Sequence, residues 1–207
     1  MEEKEKQKRE MVLGALVLFN KFGIRSVTMD DLAREMAISK KTLYKYFENK
    51  ADLVNKCAMS VFNQVHSCMM EIHKSAQNSI DELFDIDNVI RQIMKDHNPG
   101  LHFQLHKYYP QTAKAMYAGR RELINKMIAE NIDNGKRDGL FRTNIDTDII
   151  THLYCSKMES IQDKQKELME KFHSPEVKKQ ALEYHIRGIA SPKGLEYLEK
   201  KLRKQNL

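Results

Sequence analysis

The stretch Val27–Val54, VTMDDLAREMAISKKTLYKYFENKADLV, decides how the chain is read. Thr28 is a good helix N-cap, and Asp31, three residues on, supplies the acidic half of a capping box. Leu32, Ala33 and Met36 then give a short helix its apolar face. Ala37-Ile38-Ser39 reads as a turn, with Ser39 capping a second short helix over about Lys40 to Phe47. Leu43 and Phe47, four apart, form a packing face with Ile38, while Lys40, Lys41, Thr42, Tyr44, Lys45 and Tyr46 display cations and hydrogen-bond donors. Between Ser39 and Lys50 four lysines oppose the single Glu48. Two capped helices across a tight turn, the second one basic, make the pattern of a helix-turn-helix, which sets its second helix in a DNA major groove.

The flanking residues support that frame. Val12, Ala15, Leu16 and Phe19 fall on one stripe of a helix from about Glu5 to Phe22, and Gly23 sits where a left-handed C-cap belongs, with Ile24 folding back. Asn49 caps a longer helix through Leu53, Val54 and Cys57 to about residue 76. Further helices are expected over 80–97, opened by a Ser79/Glu82 capping box and closed by Asn98-Pro99-Gly100, over 101–107, and from Tyr109-Pro110 to about Asn134. A polar turn, Asn134–Gly139, leads to a helix from Asn144 or Asp146 to about Phe172. Ser174-Pro175 and Ser191-Pro192 each place a cap before a proline at the first helical position, starting a helix to about Ile189 and a basic terminal one. No strand alternation or internal repeat is visible, so the fold class is all-α, divided into a DNA-binding domain at 1–48 and a larger helical domain at 49–207.

Composition agrees with that class. Of the 207 residues 31% are charged and 41% apolar, with only 8 Gly and 4 Pro, which disfavours both disorder and a membrane span. A net charge of +6 permits a polyanionic partner. The highly charged start, Glu2 to Glu10, argues against a signal peptide, and Cys57, Cys68 and Cys155 show no CxxC pairing, so a cytoplasmic protein with free thiols is expected.

Within the helix-turn-helix, the N-terminal residues of the second helix reach base edges first, which assigns Lys40, Lys41 and Thr42 to the bases. Tyr44, Tyr46, Lys50 and the Thr28 hydroxyl suit phosphate oxygens, and Ser39 and Lys45 complete the DNA-facing set. Residues 10–55 resemble the N-terminal domain of TetR-family transcriptional regulators, through Phe19, Gly23, Thr28, Leu32, Ala33, Ser39, Thr42, Leu43, Tyr44, Tyr46, Phe47, Lys50 and Leu53 in register. One departure is Ala37, where the family usually carries Gly; a positive φ there would cost about 1 kcal/mol.

The resemblance implies a ligand-responsive homodimeric regulator, a repressor, binding a palindromic operator, with an effector pocket and a dimer interface in the helical body. Residues that suit the pocket are Met69, His73, Met94, Phe103, His106, Met116, Tyr117 and Met127, adaptable or aromatic groups that also serve as ordinary core. For the dimer interface, Val177, Ala181, Tyr184 and Gly188 form a stripe on one late helix, and Ile149, Ile150, Leu153, Tyr154, Met158 and Ile161 equip the helix before it. The alternative is an architectural or cell-division factor on the same fold, bound to DNA without a small ligand. His102 and His106, four apart, could share a metal, but no carboxylate or cysteine joins them at ligand spacing. Asp81, Glu82, Asp85 and Asp87 read as a helix-start acidic patch. Without nucleophile-elbow or phosphate-loop motifs the expectation is no enzyme, no cofactor, no metal and no membrane partner.

Overall fold

The computed structural model describes residues 2–95, 97–98, 100–163 and 174–205. Among them run α1 (Glu2–Phe22), α2 (Met29–Glu35), α3 (Lys40–Tyr46), α4 (Lys50–Ser75), α5 (Ser79–Lys95), α6 (Gly100–Tyr108), α7 (Pro110–Arg137), α8 (Thr147–Asp163), α9 (Ser174–Ile189) and α10 (Pro192–Gln205). The only strand-like pairing among the described residues is an isolated antiparallel bridge, Phe141 to Ala190. The all-α expectation holds. The expected extension of the helix before Ser174 to Phe172 lies outside the described residues.

The chain divides into two compact units. The first comprises the residues up to Cys68 with Ile90–Arg120, and the second Met69–Val89 with Arg121–Leu207. The core of the first is built by Ala15 and Phe19 of α1, Leu32 of α2, Leu43 and Phe47 of and after α3, and Leu53 of α4, with Leu105 and Ala113 added from α6 and α7. α3 has only seven residues, too few to persist alone in water. Complete burial of Leu43 and near-complete burial of Phe47 hold it, each contributing about 1.5–3 kcal/mol.

The connections follow local chemistry. Gly23 takes φ +83°, and its N–H donates to the Phe19 carbonyl at 2.8 Å, ending α1 as expected. Asn20 at the end of the same helix accepts from the Asn98 N–H at 2.6 Å. Asn98 does not simply close the preceding helix; its Oδ1 accepts from the Gly100 N–H and so opens α6.

The second unit is organised around Ile80, Phe84, Ile132, Phe141, Ile186 and Leu198. α7 runs on through Arg137, three residues past the expected end, and the polar turn shrinks to Asp138-Gly139. Gly135 explains how Phe141 enters the core: a Cβ at residue 135 would lie 2.1 Å from the Phe141 ring. The capping box expected at Ser79/Glu82 is not formed. Asn78 caps α5 instead, its Oδ1 accepting from the N–H groups of Ile80 and Asp81, both at 3.0 Å. Glu82 is drawn elsewhere, to His73 Nδ1 at 2.7 Å and Asn131 Nδ2 at 2.8 Å, because its carboxylate is buried and needs fixed donors. Asp146 caps α8 through the Ile149 N–H, and Ser191 caps α10 through the Gly194 N–H.

Candidate nucleic-acid interface

The helix-turn-helix is set by its caps. Thr28 Oγ1 accepts from the Asp31 N–H at 3.1 Å, and Asp31 Oδ2 accepts from the Thr28 N–H at 2.9 Å, completing the reciprocal box. Hydrogen bonds from the Thr28 side chain and backbone, together with Arg34, hold the Asp31 carboxyl below its ordinary range. α2 ends in a Schellman motif: the Ala37 N–H donates to the Arg34 carbonyl and the Ile38 N–H to the Ala33 carbonyl. Ala37 is the left-handed residue of that motif, at φ +54°. Ser39 Oγ then accepts from the Thr42 N–H at 2.9 Å and starts α3.

Capping leaves the nine predicted DNA-facing residues in different situations. Lys40, Lys41, Tyr44 and Lys45 are exposed on one side of α3. Lys40 Nζ lies 2.7 Å from Asp30, but both partners are well exposed, so the pair is weak and exchangeable. No ion pair engages Lys41 or Lys45 among the described residues. The hydroxyls of Ser39 and Thr42 lie 2.7 Å apart at the start of the helix. The Thr28 hydroxyl is engaged by Asp31 at 2.6 Å.

Two residues assigned to phosphate also make bonds within the first unit. The half-buried Tyr46 donates its hydroxyl to Gln7 Oε1 at 2.5 Å, bracing α3 against α1. Lys50 is half-buried, with Nζ 3.3 Å from the Arg25 carbonyl, and loss of water lowers its pKa despite nearby Asp31. Residues the sequence reading did not single out tie the α1–α2 turn to α6. The Arg25 N–H donates to Gln104 Oε1 at 3.0 Å, and its guanidinium reaches the Tyr108 hydroxyl at 3.1 Å. A lone polar side chain on α6 carries no sequence signature of such a tie.

The eight predicted pocket residues are not gathered within one unit. Met69 and Met127 are buried in the second unit, where His73 bridges toward Glu82 and Glu130. In the first unit Phe103 is 62% exposed, Met116 and Tyr117 pack on the core, and His106 stacks on Tyr117 at 4.7 Å between ring centroids. The Met94 side chain lies outside the described residues. Tyr117 also bonds His102, and no group of three or more His, Cys, Asp or Glu able to hold a metal occurs among the described residues.

Of the residues suited to a dimer face, Ile150 packs on the core of the second unit, and Tyr154 stacks on His185 at 4.3 Å. Their neighbours Ile149 and Leu153 are 60% and 59% exposed, and Tyr184 is 76% exposed. Lys157 joins the two helices, Nζ to the Ala181 carbonyl at 2.8 Å. Gly188 is exposed, Val177, Ala181 and Met158 are half-buried, and the Ile161 side chain lies outside the described residues. No helix among the described residues is long and apolar enough to cross a membrane.

Comparison with known proteins meets this geometry at the same residues. Residues 12–57 match the family described as bacterial regulatory proteins, tetR family. The biofilm operon icaADBC HTH-type negative transcriptional regulator IcaR of Staphylococcus epidermidis is 25% identical over 147 residues, covering 58% of this chain and 78% of that protein. The uncharacterized HTH-type transcriptional regulator YvaF of Bacillus subtilis is 25% identical over 167 residues, covering 80% and 87%. A transcriptional regulator from Cytophaga hutchinsonii superposes with a TM-score of 0.74 at 16% identity, covering 88% of this chain and 98% of its own. FadR from Bacillus subtilis, in complex with stearoyl-CoA, superposes with a TM-score of 0.65 at 16% identity, covering 87% and 98%. The capped helix-turn-helix and the family match coincide: over residues 12–57 the chain is similar to the tetR family of bacterial regulatory proteins, and it shares its fold with the solved regulators.

Proposed function

We propose that the protein is a cytoplasmic, ligand-responsive homodimeric repressor that binds a palindromic operator, with DNA reading carried by residues 1–48 and effector response and dimerisation by residues 49–207. The observation that carries the reading is the exposed row Lys40, Lys41, Tyr44 and Lys45 on a helix fixed from behind by Leu43 and Phe47. Lys40, Lys41 and Thr42 stand at the helix start and meet base edges; Tyr44 and Lys45 meet the flanking phosphates. Ser39 and Thr28 hold the two helix starts. Tyr46 and Lys50 position the reading helix through Gln7 and the Arg25 carbonyl.

Dimerisation uses the α8–α9 surface, where Ile149, Leu153 and Tyr184 leave apolar side chains in water. Two-fold symmetry then requires two half-sites, spaced by about 34–36 Å or a multiple of it. An effector acts by favouring a head spacing that no longer fits successive grooves, with a coupling on the order of 1–3 kcal/mol. The relatives' description as HTH-type regulators, one of them negative, supports the repressor assignment. The test is selection of a binding sequence from random duplexes, followed by affinity against salt for wild type and Lys41→Ala. Loss of Lys41 lowers affinity for the selected site, and if the side chain also neutralises a phosphate the salt slope falls by about 1. Failure to enrich any duplex, or unchanged affinity on losing Lys41, removes the assignment.

A further inference from the structure

The turn between α1 and α2 is held by more partners than its length requires. Gly23, at φ +83°, is buried against α6: a Cβ there would lie 2.8 Å from Gln104 Nε2. The Arg25 N–H donates to Gln104 Oε1 at 3.0 Å. Its guanidinium donates to the Tyr108 hydroxyl at 3.1 Å and stands 5.3 Å from the centre of that ring. The Arg25 carbonyl accepts from Lys50 Nζ, at the start of α4, at 3.3 Å. One exposed arginine thus has its N–H, its carbonyl and its side chain each bonded to a different residue.

These ties differ in kind from the core beneath them. Leu101 and Leu105 of α6 pack on the apolar core of the first unit, to which all these residues belong. Apolar burial is non-directional, so it holds α6 against the head without fixing the angle between them. Hydrogen bonds are directional. Gln104 and Tyr108, four apart, share one face of α6, and both meet Arg25. Each bond is exposed and modest in strength, so its effect falls on orientation rather than stability. Arg25 lies three residues before Thr28, whose capping box starts α2, and α2 joins α3 through the two bonds of the Schellman turn. A change of direction at Arg25 therefore reaches Lys40, Lys41, Tyr44 and Lys45 as a change of aim.

We propose that Gln104 and Tyr108 are positioning residues: they set the angle at which α6 carries the reading helix, and so the spacing between half-sites that a dimer accepts. This specificity for spacing rests on the dimeric regulator proposed above. One base pair added between half-sites moves one of them by about 3.4 Å along the DNA axis and about 34° around it. Two heads fixed at one angle cannot follow such a step; heads released at the α1–α2 turn can.

The experiment measures the affinity of the full-length protein for duplexes that carry the selected half-site twice, with spacers differing by one base pair at a time. Wild type prefers one spacing, and a step of one base pair weakens binding about tenfold or more. Gln104→Leu removes the acceptor and Tyr108→Phe the hydroxyl. Together they weaken the best spacing about threefold and reduce the penalty for a one-base-pair step to about threefold or less. Gln104→Glu keeps an acceptor oxygen for the Arg25 N–H and retains the wild-type profile. Tyr108→Phe alone, the loss of one exposed hydroxyl, gives an intermediate profile and carries the same test if the double variant does not fold. The salt slope is unchanged throughout, because no phosphate contact is lost. An unchanged profile in the variants overturns the proposal. So does an equal loss at every spacing, which is what a purely structural role gives, or a Gln104→Glu profile as flat as that of Gln104→Leu. A wild type whose spacing preference the variants keep loses only this assignment; a wild type with no preference, or no DNA binding, loses the dimeric regulator and the assignment with it.

Discussion

Replacing Ala37 by glycine tests the turn that aims the reading helix. Ala37 sits at φ +54°, the left-handed position of the Schellman motif that ends α2. An L side chain there costs about 1–2 kcal/mol relative to glycine, while the extra freedom of glycine in the unfolded chain returns about 0.4–1 kcal/mol of that. Both hydrogen bonds of the motif are made by backbone groups, so the substitution keeps them. Ala37 is exposed, so no buried contact is lost. The net expectation is a gain of about 0.5–1 kcal/mol in the local stability of α2 and α3. Amide hydrogen exchange followed by mass spectrometry reads that region separately from the rest of a two-unit chain. Peptides spanning residues 32–47 should exchange about two- to fivefold more slowly in Ala37→Gly. Valine at the same position should speed their exchange, because a β-branched residue at positive φ is a true outlier. Unchanged or faster exchange in the glycine variant would refute the claim that this turn is strained.

Gly23→Ala should act in the opposite sense. A Cβ at φ +83° would lie 2.8 Å from Gln104 Nε2, so the variant loses about 1–2 kcal/mol, read as faster exchange at the α1–α2 turn. His185 is buried, and burial followed by the Lys157 charge pushes its pKa from 6.5 down to about 3. The unfolded chain therefore takes up this proton first. Stability from keeping the ring neutral is complete above pH 6.5 and is lost as pH falls toward 3, by at most about 1.4 kcal/mol per unit. Urea titrations from pH 7 to 4 should show a shallower acid loss for His185→Leu, and parallel curves would exclude His185 as a source. Leu153→Asp puts a charge on the exposed α8 face. Sedimentation should give a dimer for wild type and a monomer for the variant, whereas a dimeric variant would move the interface elsewhere.

The sequence disclosed the reading head better than the body for a physical reason. In the head each turn is fixed by residues close together in the chain: Thr28 with Asp31, Ser39 with Thr42, Ala33 with Ile38. Capping rules operate over three to five residues, so they are visible without a structure. Tyr46 and Lys50 belong to that same short stretch, yet their partners, Gln7 and the Arg25 carbonyl, lie 39 and 25 residues away. Donor chemistry alone suggested phosphate contacts for both, and only the fold shows the hydroxyl also bonded to α1 and the ammonium to the turn after it. The same limit explains the failed cap at Ser79. The local pattern offered a capping box, but Glu82 meets Asn131, 49 residues on, and a buried carboxylate is worth more to a fixed amide than to a solvent-facing cap. The Met and aromatic residues suited to a pocket are harder to place from sequence for a further reason. Periodicity reports that a side chain is apolar, but not which compact unit it enters, and the eight divide between two. Polar groups carry the opposite information. A buried serine hydroxyl with no partner, as at Ser79, is meaningless in a sequence and conspicuous only in a fold.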